Sequence, residues 1–146
     1  MRNRVLIMHI FITLSIILLV STGVRLNWNF QILQLFLLVV GTLLSVYFMG
    51  SLGLMYMISS AMQEICILLA ATIIIPKSGL FFGALATSLI YTLAHKINWQ
   101  KFLLIFLWGN ISILLYAWFH SPLINIALHT AIGAFLIKKE ILYECY

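Results

Sequence analysis

The chain has 146 residues, 64% of them hydrophobic and 8% charged, and carries a formal net charge of +5; its mean hydropathy is +1.17. A soluble domain cannot cover itself with so little polar surface, so the composition predicts an integral membrane protein rather than a globular enzyme of the aqueous phase. At about 20 residues per span, six helices use most of the length and leave no room for a separate soluble domain.

Apolar runs between polar interruptions predict spans over 5–24, 31–50, 52–75, 79–98, 102–119 and 122–138. The first follows Arg2 and Arg4. Its apolar stretch exceeds the roughly 7–15 residues of a signal-peptide core, which favours an uncleaved helix. Arg25 and Trp28 in the next connection suit a membrane interface. The uncharged Gly50-Ser51-Leu52-Gly53 is expected to separate the second and third spans, the alternative being five helices with one long kinked segment. Pro76-Lys77-Ser78-Gly79 is predicted to end the third span, because proline cannot continue a helix and glycine tolerates the turn. Lys96 to Lys101, enclosing Trp99, marks the end of the fourth. Ser121-Pro122 reads as a cap and first-turn proline opening the last helix.

The expected architecture is all-α, a polytopic bundle of about six transmembrane helices forming one membrane domain over 1–146. Two N-terminal helices fall in 1–50, a four-helix core in 51–138 and a short cytoplasmic tail in 139–146. If the spans alternate, Arg2, Arg4, Lys96, Lys101, Lys138 and Lys139 share one side, against Arg25 and Lys77 on the other. The positive-inside rule makes the first side cytoplasmic, together with both termini. The positive charge is thus a topology signal with some attraction for anionic lipid, and nucleic acid is not an expected partner. Cys66 and Cys145 form no disulfide framework and no CxxC metal pair.

The polar residues inside the apolar runs carry the functional signal. The chain has no Asp, and of its three acids only Glu64 lies outside the C-terminal tail that holds Glu140 and Glu144. A carboxyl group within a membrane span is costly and needs a compensating role. His95 and His129 fall in two other spans. Helical spacing puts Ala84, Ser88, Tyr91 and His95 on one face, and Asn125, His129 and Gly133 on another. A third strip runs through Met57, Ser60, Ala61, Glu64 and Ala71. Small residues let helices approach closely in lipid, so these strips serve packing as well, but packing alone does not call for Glu or His. His9 and His120 read as interfacial, Trp28, Trp99 and Trp118 as belt residues, Trp108 as core, and Asn110 as interhelical glue.

The order and spacing of these residues over Gln63 to Gly133 resemble the core of the CPBP family, the CAAX-protease and bacteriocin-processing intramembrane endopeptidases. That family has Glu-Glu-x-x-x-Arg on one helix, Phe-x-x-x-His on a later one and His-x-x-x-Asn on the last core helix. Gln63-Glu64 stands at the first motif, Tyr91-Thr92-Leu93-Ala94-His95 at the second and His129-Thr130-Ala131-Ile132-Gly133 at the third. Gly109, Tyr116 and Ser121 resemble the family's intervening glycine and its tyrosine-to-serine turn. Gln63 replaces one glutamate, Leu68 the arginine and Gly133 the asparagine.

The resemblance implies a metal-independent endopeptidase of the prokaryotic cytoplasmic membrane, acting on a membrane-associated peptide or protein tail and requiring no cofactor. On it, Glu64 and His95 would activate a water, since a carboxylate and an imidazole in reach of one water can draw off its proton as it attacks a carbonyl. His129 would donate to the developing oxyanion. Gln63, Tyr91, Asn125 and Gly133 are the supporting positions, with the Asn125 amide a candidate for the missing donor. Counted at about 1.5 Å per residue, Glu64 and His129 come out near mid-membrane and His95 nearer the cytoplasmic face. Two alternatives stay open: a zinc site built from Glu64, His95 and His129, and a non-catalytic binding, immunity or transporter subunit on the same core.

Overall fold

Helices form wherever the apolar runs are unbroken, and the chain turns where glycine, proline or polar residues interrupt them. The computed structural model describes residues 2–26, 31–95 and 99–139, without the side chains of 2–9, 11 and 100. Trp28, Lys96, the side chains of Arg2, Arg4 and His9, and the tail from Glu140 onward lie outside what is described. The elements are α1 (Arg2–Ser21), α2 (Ile32–Met49), α3 (Leu52–Ser78), α4 (Leu80–Leu93), α5 (Trp99–Phe119) and α6 (Pro122–Lys138). Three of them, α2, α3 and the Lys101–Phe119 part of α5, are long and apolar enough to cross a membrane by length and composition; α4 and α6 are shorter apolar helices.

The predicted breaks are realised by identifiable backbone devices. Between α2 and α3 the chain turns at Gly50, whose φ of 62° is one that L-residues rarely adopt. This removes the five-helix alternative. At the C-terminus of α3 the expectation fails in detail: the helix continues through Pro76 and stops at Gly79, φ 78°. A proline in the last turn forfeits only one backbone bond, so the positive-φ glycine, not the proline, sets the boundary. The start of α6 is as expected, with Ser121 extended at φ −146°, its hydroxyl accepting from Leu123 N–H at 3.4 Å, and Pro122 in the first turn. Helix α4 ends at Leu93, well short of the predicted 98. His95 therefore lies beyond it, in a closing turn where its N–H meets the Thr92 carbonyl at 3.0 Å.

Helix α3 is central and packs against each of the other five. The buried residues include about as many polar as apolar side chains. Gln34, Ser45, Ser60, Glu64, Ser88, Ser112, Asn125 and Thr130 are all buried, while large apolar residues such as Ile32, Phe36, Phe81, Leu93 and Leu103 are exposed. Apolar surface outside and polar groups inside is the distribution expected where the surroundings are hydrocarbon. A dry cluster of Ile67, Leu68, Ala71, Ala84 and Ile113 fills one part of the core. Leu68 is completely enclosed there, leaving no water for a cation at that position. Helices α2 and α6 meet at Gly41, where an added Cβ would lie 2.6 Å from the Ala127 carbonyl oxygen, so only glycine permits this crossing.

Candidate functional site

Glu64 and Gln63 are neighbours on α3, and the roughly 100° rotation per helical residue sends their side chains to different partners. Glu64 is fully buried and faces α5 and α6. Its Oε1 accepts the Trp108 indole N–H at 2.7 Å and lies 2.7 Å from His129 Nδ1; its Oε2 accepts the Ser112 hydroxyl at 2.5 Å. Indole can only donate. The Ser112 oxygen receives an Asn125 amide N–H at 2.7 Å, and a second Asn125 N–H reaches the Ser112 carbonyl at 2.6 Å. A carbonyl can only accept, which fixes the Asn125 nitrogen toward Ser112 and leaves the serine proton for Glu64. Both oxygens of Glu64 thus accept, Oε1 from Trp108 and Oε2 from Ser112, and Oε1 also shares a hydrogen bond with His129 Nδ1.

The partners come from three helices for reasons visible in their spacing. Trp108 and Ser112 are four apart on α5, hence on one face. Asn125 and His129 are four apart on α6 and both buried. Helices α3 and α6 run antiparallel, so Glu64 meets His129 while Tyr56, two turns earlier, meets Gly133. The His129 ring stands edge-on to Trp108 and to Tyr56, with centroids 5.4 and 6.3 Å apart. Glu64 has no accessible surface, whereas the His129 side chain is 10% exposed. An external molecule would therefore meet the imidazole before the carboxylate.

Gln63 belongs to a second string of contacts. Its amide N–H donates to Ser59 Oγ at 3.2 Å, and its carbonyl accepts the Tyr91 hydroxyl at 2.8 Å. His95 Nδ1–H donates to the Tyr91 carbonyl at 2.8 Å, and the two rings meet edge-on at 4.7 Å. The resemblance implied a Glu64–His95 pair; the imidazole bonded to Glu64 is His129. The physical reason is the early end of α4, which leaves His95 bonded one turn back on its own chain, while α6 carries His129 to the carboxylate. The Asn125 amide holds Ser112 rather than facing outward from the pair.

The trio Glu64, His95 and His129 does not converge as a metal set: among the described residues no group of three His, Cys, Asp or Glu side chains is placed to hold an ion. Asn110 bonds the Phe106 carbonyl within its own helix at 2.9 Å, and so does not tie two helices together. On α3, Met57 and Ala61 are only half-buried; the enclosed strip is Tyr56, Ser60 and Glu64. Trp99 and Trp118 are highly exposed.

Sequence reasoning missed Ser112 and Tyr56, and read Trp108 as core without its bond to Glu64. The available signal was the i, i+4 pairing of Trp108 with Ser112, two donors on one face of an otherwise apolar helix. An apolar hollow of about 470 Å³, lined by Ile74, Phe82, Leu85, Leu89 and Phe106 among others, contains none of the site residues. Comparison with protein-family models, with curated proteins and with solved structures gave no match.

Proposed function

We propose that the chain is an intramembrane endopeptidase resembling the CPBP proteases. In this reading it is a polytopic protein of the prokaryotic cytoplasmic membrane, with six membrane-inserted helices and both termini inside. The observation that carries the reading is the Glu64–His129 bond at 2.7 Å, in a nest of donors within an otherwise apolar chain. Glu64 holds His129 in the tautomer that presents Nε2 as a base. A water bound at Nε2 gives up a proton to it while the water oxygen bonds to the peptide carbonyl carbon. The carboxylate stabilises the resulting imidazolium. Collapse of the tetrahedral intermediate breaks the carbon–nitrogen bond, and His129 returns the proton to the leaving amine.

In this reading the string Gln63–Tyr91–His95, which starts at the helical neighbour of Glu64, supports the substrate on its way to the pair from the cytoplasmic side. The substrate class is a membrane-associated peptide or protein tail, and no cofactor is invoked.

One observation favours a second reading. Both Glu64 oxygens are already engaged and the group has no exposure, which also suits a non-catalytic binding, immunity or transporter subunit using the network as scaffold. Glu64→Gln separates the two. It preserves size and one acceptor oxygen but removes the charge that stabilises the imidazolium. We expect loss of cleavage of a membrane-anchored peptide in proteoliposomes by about a thousandfold or more, comparable to losing the acid partner of a catalytic histidine. Retained cleavage would dispose of the acid–base assignment. Cleavage by neither wild type nor variant, with binding or stability alone altered, would favour the scaffold.

A further inference from the structure

Gly133 stands one helical turn after His129 on α6, and the space beside it is occupied. A Cβ at position 133 would lie 1.7 Å from Tyr56 Oη and 2.8 Å from its Cζ, so the phenol tip of Tyr56 fills the volume that any side chain at 133 would claim. Tyr56 is 4% exposed, and its ring stands edge-on to His129 at 6.3 Å. The glycine therefore exchanges a side chain on α6 for a hydroxyl delivered from α3, on the same stripe as His129.

We propose that Tyr56 is a catalytic residue of this site, its phenol O–H serving as a donor to the carbonyl oxygen under attack while His129 takes the proton of the attacking water. The inference rests on the endopeptidase reading above. A phenol suits the task because it is a neutral donor of fixed reach, carried on a ring that packing holds in place. A donor preorganised toward developing negative charge in a site shielded from water is worth far more than the same contact in water. Ser60, one turn from both Tyr56 and Glu64 on α3, is buried with its hydroxyl unpartnered. The Tyr56 ring is held on its other side by Ala134, Ile137, Phe48 and Met49, so the strip passes from an apolar seat around the ring to the carboxylate through Ser60.

Tyr56→Phe keeps the ring in the Gly133 notch and deletes only the hydroxyl. The probe is a pool of quenched-fluorescence peptides bearing a C-terminal hexadecyl chain, presented in phosphatidylcholine–phosphatidylglycerol proteoliposomes, followed by kinetics on the fastest-cleaved member. We expect kcat to fall by about a hundredfold to a thousandfold, the cost of one oxyanion donor, with KM and the unfolding midpoint near wild type. Unchanged kcat, whether or not the midpoint moves, alongside an inactive Glu64→Gln overturns the role of Tyr56 and leaves the endopeptidase standing. Failure of the wild-type protein to cleave any member overturns both. A matched fall in kcat when position 56 is Leu as well as Phe, with folding intact, supports the hydroxyl over the ring as the acting group.

Discussion

Glu64→Ala is expected to destabilise the fold by about 3–5 kcal/mol, the cost of leaving several buried donors without an acceptor. The substitution strands the Trp108 indole N–H and the Ser112 hydroxyl and, in the tautomer proposed above, the Nδ1–H of His129, around a site with no accessible surface. Each unsatisfied buried donor costs roughly 1–3 kcal/mol, and the sum is reduced because Ser112 can rotate and His129 can change tautomer. Replacing a whole buried ionic group with apolar residues can be neutral. Removing its acceptor alone is not, since the donors stay behind with no water to take them. Equilibrium unfolding in detergent micelles checks this, and a loss below about 1 kcal/mol would mean that the network is not formed in the folded protein.

Gly41→Val should be nearly as damaging, by a different route. The added carbon would meet the Ala127 carbonyl oxygen at 2.6 Å and its carbonyl carbon at 3.2 Å. Backbone cannot rotate aside, so α2 and α6 must separate along their contact. Overpacking of this kind costs about 1–3 kcal/mol and sometimes more. Because α6 carries His129, displacement of the helix also moves the imidazole relative to Glu64, and cleavage should fall with stability. Gly109→Ala is a useful contrast. Its new carbon meets Ser88 Cβ and Oγ at 3.0 Å and the tip of Ile67 at 3.3 Å; Ser88 Cβ moves only with its backbone, but the overlap is milder than at Gly41 and the other atoms can shift, so the loss should be smaller. Equal midpoints for the two variants would refute the ranking.

Much of the fold was legible because membrane helices advertise their length and their ends. The Gly50 turn and the Ser121–Pro122 cap of α6 are written in residue types whose conformational preferences dominate locally. The end of α4 was legible only as a region, since the polar residues from His95 to Asn98 announce a boundary without marking that the last turn closes at Leu93. The extension of α3 past Pro76 was hidden because a proline rule made for helix interiors weakens in a final turn. Within the site, Glu64 and His129 stood out as ionisable groups in apolar runs. Their pairing did not, because it depends on which helices touch and on the rotation that separates Glu64 from Gln63. The i, i+4 spacing of Trp108 and Ser112 hinted at a shared polar face, but their partner, like the role of Tyr56, was hidden for a related reason. Each is an ordinary membrane-helix residue whose role comes from a neighbour distant in sequence.

The bond between Glu64 and His129 is the point on which the account turns, and nitrogen NMR of histidine-labelled protein in nanodiscs reads it directly. With the His129 signal assigned by its loss in His129→Asn, the account predicts a proton on Nδ1 in a strong hydrogen bond that weakens in Glu64→Gln while the His95 signals hold. A His129 protonated on Nε2 and indifferent to Glu64→Gln, or a response confined to His95, would contradict it.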